Sequence, residues 1–142
     1  MPIAFRYETN LFGAGAAEGS DVERALFASW LLLAAVHAMP AAVLFAPRLT
    51  ERLYGVAPGG AVGILIVHRG ALFLAVLAVA VLAAFSPDAR RAASLVVGIS
   101  VVAFLTVYAA SGMPSGQLRT IALADAVALA PLALVTWAAW SR

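Results

Sequence analysis

Four long stretches of almost uninterrupted apolar residues alternate along the chain with short polar segments. The stretches cover residues 25–46, 61–85, 92–111 and 121–140. Each is close to the roughly 20 apolar residues that an α-helix needs to cross the hydrocarbon core of a bilayer. The pattern therefore predicts four transmembrane helices.

Turn residues lie in the connections between the second, third and fourth stretches. They also lie at the end of the connection before the second stretch. They include Pro58-Gly-Gly60, Ser86-Pro-Asp88 and Gly112-Met-Pro-Ser-Gly116. Proline and glycine interrupt helices, and short connections make consecutive helices antiparallel neighbours. The predicted fold class is all-α, an integral membrane antiparallel four-helix transmembrane bundle.

Residues 1–22 are predicted to be a flexible polar N-terminal extension, and residues 23–142 to be the transmembrane domain. Three glycines between residues 13 and 19 favour flexibility. Ser20 and Glu23 have the spacing of a capping box, which predicts that the first helix starts at this serine. The extension is a candidate docking arm for a partner protein.

The connection between the first two stretches has its own periodicity. Leu49 and Leu53 are four residues apart, as are Arg48 and Arg52. This spacing predicts a short helix at the membrane interface, with leucines towards the membrane, arginines towards water and Gly55 at its end. An ordinary loop is the alternative.

The composition indicates a membrane protein, since 64% of the residues are hydrophobic and 11% are charged. Soluble domains have about 45–50% apolar and about 25% charged residues. The formal net charge of +2 is small, which argues against a nucleic-acid partner. The chain has no cysteine, which excludes disulfides, thiolate metal sites and thiol nucleophiles.

The distribution of arginines predicts the orientation. Cytoplasmic segments of membrane proteins are enriched in basic residues. The side with both termini has five arginines and the opposite side has three, which places both termini in the cytoplasm of a bacterial inner membrane. The two groups are Arg6, Arg24, Arg90, Arg91 and Arg142, and Arg48, Arg52 and Arg119.

Four ionisable residues lie within the apolar stretches: His37, His68, Arg69 and Asp125. At about 1.5 Å of rise per residue they lie roughly 6–14 Å from the same membrane face. Tyr108 reaches that half of the bundle from the third stretch. Because ionisable groups in a membrane usually face the bundle interior, these five residues form a predicted intramembrane polar cluster.

A buried ion pair between Arg69 and Asp125 is the simplest prediction for this cluster. The aspartate is the only acidic residue in any of the four stretches, and arginine keeps its charge when buried. If the two are partners, replacing either one alone reduces the folded yield more than replacing both.

Three interpretations of the cluster remain open. The ion pair can act as a structural clamp, with His37, His68 and Tyr108 completing the hydrogen bonds. Alternatively, the cluster lines a cavity that binds a quinone or lipid head group, or an anion attracted by Arg69. In the third, His37 or His68 is an axial ligand of a haem or chlorophyll-type pigment.

Three short stretches resemble a known family: "RLYG" at 52–55, "HRGALF" at 68–73 and "LRTIALAD" at 118–125. Together with the four spans, they resemble small bacterial membrane proteins of the DoxX-like group. The resemblance implies that His68, Arg69, Arg119 and Asp125 are signature residues without an assigned role. It also implies association with respiratory or thiol-redox membrane complexes, including quinone-reducing ones.

The sequence shows no phosphate-binding loop, zinc-protease motif, catalytic triad or pair of catalytic carboxylates. We therefore expect a non-catalytic protein in contact with lipid and with protein partners, and no metal. The leading hypothesis is an accessory or assembly subunit of a respiratory or photosynthetic membrane complex. The alternative is a membrane protein that binds a small lipophilic ligand, or a redox enzyme, using the polar cluster around Arg69.

Overall fold

The computed structural model describes the backbone of residues 9–141 and the side chains of residues 19–141. The described residues form helices and no strands, which confirms the predicted all-α class. The helices are α1 (Thr9–Ala42), α2 (Leu49–Tyr54), α3 (Gly60–Phe85), α4 (Arg90–Ala110) and α5 (Gln117–Trp140), with a 3-10 turn at Pro87–Ala89 before α4.

Four helical segments are long and apolar enough to cross a membrane, which confirms the predicted number of spans. The first lies a few residues earlier than the predicted 25–46, because the chain leaves the helix at Ala42 and turns. The four segments are Gly19–Ala42, Gly60–Phe85, Pro87–Ala110 and Gln117–Trp140.

Helix α1 begins before the predicted start of the first span. It runs without a break from Thr9 through Ser20, so the prediction of a helix start at Ser20 was wrong. The carboxylate of Glu23, which a capping box would direct to that start, bonds Arg90 instead. The flexibility of residues 1–22 stays a prediction, and residues 1–8 of that segment lie outside the described residues.

Each spanning helix packs against the next one along the chain, and α5 returns to contact α1. This arrangement is an up-down-up-down bundle, as predicted. Its core is closest packed in the half away from α2, where small and branched side chains of four helices are buried. Core members include Leu26, Trp30, Leu33, Ala80, Ala83, Ala93, Val97, Val101, Ala128 and Val135.

The same half of the bundle contains a partly buried ion pair that the sequence analysis missed. Arg90 Nη2 lies 2.9 Å from Glu23 Oε2, and Arg90 Nη1 lies 3.3 Å from Glu23 Oε1. Arg90 Nε also donates to the Ala83 carbonyl oxygen at 3.3 Å. The pair links α1 to α4. Together with the bond to the Ala83 carbonyl oxygen, it gives each of the three guanidinium nitrogens a hydrogen-bond acceptor.

The short helix α2 confirms the predicted helix over the loop, and its position at the membrane interface stays a prediction. Leu49 and Leu53 are partly buried, whereas Arg48 and Arg52 are exposed. Gly55 ends the helix in the left-handed conformation, with φ 69°, and its N–H bonds the carbonyl oxygens of the preceding turn.

Two glycines of α3 allow the chain between α1 and α3 to pack closely. A Cβ atom on Gly70 would lie 2.9 Å from the backbone nitrogen of Leu44. A Cβ atom on Gly63 would lie 2.5 Å from the carbonyl oxygen of Ala57. Both glycines therefore hold the α1–α2–α3 connection against the bundle.

Candidate binding cavity

A cavity of about 310 Å³ lies at the α2 end of the bundle, and all five helices contribute to its wall. Ligand pockets typically have volumes of about 300–1,000 Å³, so this cavity is large enough for a small molecule. Its lining residues are Ala35, Val36, His37, Met39, Pro40, Leu53, Tyr54, Arg69, Phe73, Phe104, Thr120, Ile121, Ala124 and Asp125.

Three of the five residues of the predicted polar cluster line this cavity: His37, Arg69 and Asp125. The helix bounds explain their common depth. At about 1.5 Å per residue, Asp125 lies about 12 Å from the start of α5, Arg69 about 14 Å from the start of α3, and His37 about 8 Å from the end of α1. The cavity therefore lies within the membrane-spanning part of the bundle.

Arg69 and Asp125 both face the cavity, but they do not form the predicted ion pair. Between these two described residues no nitrogen–oxygen distance falls within 4.0 Å. Instead, the guanidinium carbon of Arg69 lies 5.0 Å from the ring centroid of Phe73, one helical turn along α3. Both groups line the cavity without a direct contact, so the structural-clamp interpretation loses its central contact.

Asp125 is largely buried, with 8% of its surface exposed. Among the described residues, no side chain or backbone group donates a hydrogen bond to its carboxylate. A buried carboxylate without a donor is unfavourable in a low-dielectric environment. Its polar atoms are therefore available to a molecule in the cavity.

His37 is held by hydrogen bonds at both ring nitrogens. Nδ1 lies 2.8 Å from the Leu33 carbonyl oxygen, and Nε2 lies 3.2 Å from Ser100 Oγ. Because a carbonyl only accepts, Nδ1 donates to it, and in the neutral ring Nε2 accepts from the serine hydroxyl. This arrangement fixes the ring between α1 and α4 and leaves neither nitrogen free for the axial ligation of a pigment.

His68 does not line the cavity. One residue is about 100° of rotation on a helix, so His68 and Arg69 point in different directions. Both residues are exposed, but His68 lies on a face of α3 that also exposes Leu65 and Leu72, away from the cavity. In a bilayer this face meets lipid or another protein.

Tyr108 also lies apart from the other three members. Its hydroxyl donates to the Pro114 carbonyl oxygen at 3.0 Å, which ties the end of α4 to the following connection. It lines a separate cavity together with Arg119, another of the residues implied by the family resemblance.

Tyr54 is a cavity residue that the sequence analysis did not single out. Burial raises the pKa of its phenol above the usual value; Arg69 opposes this increase and Asp125 adds to it. The hydroxyl therefore stays neutral and can donate a hydrogen bond. The signal in the sequence was its place in the amphipathic segment, directly before the terminating Gly55.

No family model, curated protein or solved structure matches the chain. The resemblance to the DoxX-like group therefore stays a prediction. Within residues 19–141, no group of three or more metal-ligating side chains lies together. The four apolar spans define the class of the protein, a multi-pass membrane protein with a four-helix bundle.

Proposed function

We propose that the protein binds a small lipophilic molecule in the cavity beneath α2. The observation that carries this proposal is the cavity itself, whose wall contains Arg69 and Asp125 without a direct contact between them. Charged groups within a membrane span are unfavourable unless they have a partner. A bound molecule with a polar group supplies that partner for both.

The rest of the wall suits an apolar ligand body. Phe73 and Phe104 contribute aromatic rings, and Val36 and Leu53 contribute aliphatic surface. Met39, at the edge of the cavity, is more than half exposed and so reaches the surface that faces lipid. A lipophilic molecule can therefore approach from the bilayer.

The other parts of the sequence-based hypothesis depend on molecules beyond this chain. The accessory role in a respiratory or photosynthetic complex, the redox alternative and the bacterial inner membrane location stay predictions. Co-purification from native membranes tests the accessory role, because a subunit of a complex migrates with its partners in mild detergent.

The binding proposal is tested by filling the cavity. Ala124 lines the cavity, whereas Ala130, which is also exposed and lies on the same helix, does not. We expect Ala124→Phe to lose a small molecule that wild type and Ala130→Phe both retain through purification. Solvent extraction followed by mass spectrometry measures this retention, and size-exclusion chromatography checks that each variant is folded.

An identical set of extracted molecules from all three proteins contradicts the proposal. Such a result would mean that the retained compounds bind the outer surface of the bundle and not the cavity.

A further inference from the structure

The charges in the cavity wall restrict the kind of molecule that fits. This restriction rests on the proposed function, since it concerns the ligand of the same cavity. When both side chains are ionised, Arg69 contributes one positive charge and Asp125 one negative charge, which sum to zero. Tyr54 adds none because it keeps its proton, and His37 adds none in its neutral form, in which both ring nitrogens have partners.

A ligand with a net charge would leave that charge uncompensated inside the membrane. An anion would bond Arg69 but would lie in the same cavity as the carboxylate of Asp125. A cation would bond Asp125 but would meet the guanidinium. Like charges close together in a low-dielectric site are strongly unfavourable.

A net-neutral polar group avoids both penalties if it contains a donor and an acceptor. The acceptor takes a hydrogen bond from the Arg69 guanidinium, which only donates, and the donor gives one to the Asp125 carboxylate, which only accepts when ionised. Both bonds involve a charged partner, so each is stronger than a neutral hydrogen bond.

We infer that the cavity binds amphipathic molecules whose polar group is net-neutral and bridges Arg69 and Asp125, with an acceptor at the arginine and a donor at the aspartate. An uncharged amide or hydroxy-carbonyl group has this character, as does a zwitterion with separate ammonium and carboxylate groups. The apolar body of the molecule lies among Phe73, Phe104 and Val36.

Four probes with an eight-carbon skeleton separate these charge types. Octanamide is uncharged and has a donor beside an acceptor, 2-aminooctanoic acid is a zwitterion, octanoate is an anion and octylammonium is a cation. Binding of each to wild type in nanodiscs is measured by calorimetry. We expect octanamide or 2-aminooctanoic acid to bind about tenfold or more tightly than either charged probe, since one charge-assisted hydrogen bond contributes about that factor.

Two near-isosteric variants show whether the bridge is responsible. Asp125→Asn should weaken the net-neutral probes and strengthen octanoate, because the repelling carboxylate is gone. Arg69→Gln should weaken the net-neutral probes and strengthen octylammonium. A merely structural role of either residue would change all four affinities in the same direction.

Arg119→Gln is the matched control, since this arginine is exposed on α5 and lines the separate cavity beside Tyr108. Its four affinities should equal those of wild type. Circular dichroism confirms that every variant keeps its helix content.

Two results overturn the inference and are distinguishable. If octanoate binds wild type best and Asp125→Asn leaves that affinity unchanged, the cavity is an anion site, and the proposed function stands without the bridge. If no probe binds and solvent extraction finds no retained molecule, the proposed function itself fails.

Discussion

Arg90 and Arg69 lie at opposite ends of the bundle, and they differ in their bonding partners. At the start of α4, the side chain of Arg90 is 10% exposed and bonds both carboxylate oxygens of Glu23 and a backbone carbonyl. Near the α2 end, Arg69 lies beside the ring of Phe73 and lines a cavity, with no carboxylate within ion-pair distance among the described residues.

The packing around the two arginines differs in the same way. Near Arg90, core residues such as Trp30, Ala83 and Ala93 have no exposed surface. At the α2 end, the helices surround an open volume in which Asp125 also lacks a donor. The comparison teaches that a paired charge in a filled core stabilises the fold, whereas an unpaired charge beside a cavity is available for binding.

The largest effect should come from breaking the paired end. We expect Arg90→Gln to lower the free energy of unfolding by about 2 kcal/mol, because it leaves Glu23 without its bidentate partner. The loss stays below that of a fully buried pair, since the Glu23 side chain is 46% exposed. Unfolding in mixed detergent micelles measures it.

The matched comparison is a pair of double-mutant cycles. Arg90→Gln with Glu23→Gln should show a clear coupling energy, while Arg69→Gln with Asp125→Asn in ligand-free protein should be closer to additive. Equal coupling energies in the two cycles would contradict the difference between the paired Arg90 and the unpaired Arg69, since they would require a direct ion pair between Arg69 and Asp125. This expectation replaces the coupling that the sequence suggested for that pair.

A medium effect should come from the glycine contact that holds the α1–α2–α3 connection beside the cavity. We expect Gly70→Ala to lower stability by about 1 kcal/mol, the lower end for overpacking, because its Cβ would meet the backbone of Leu44. Gly98→Ala is the control, since a Cβ there meets no atom within 4 Å. If both variants unfold at the same detergent fraction, the connection does not depend on this close approach.

The smallest effect should come from His68, which lies on the exposed face of α3. We expect His68→Leu to change stability by less than about 0.5 kcal/mol, as is usual for surface positions. Retention of the extracted molecule should stay the same. Loss of the molecule in this variant would place His68 in the binding site and break the distinction between the cavity and the lipid-facing surface.

Much of the fold follows from patterns along the chain. The four spans appear as apolar stretches because the thickness of the bilayer sets their length. The short helix α2 follows from the four-residue spacing of its leucines and from Gly55. The start of α1 did not follow, because the Ser20–Glu23 spacing of a capping box lies inside a helix that already runs from Thr9.

The candidate site was only partly predictable from the sequence. Position along the sequence sets the depth of a residue in the membrane, but it does not set which way the side chain points. Depth in the membrane increases by about 1.5 Å with each residue, so the sequence by itself determined that His37, Arg69 and Asp125 lie at similar levels. Rotation about each helix axis depends on how the helices pack. Only the tertiary structure decided that His68 lies outside the cavity, that Tyr54 of α2 joins it, and that Arg69 and Asp125 make no direct ion pair.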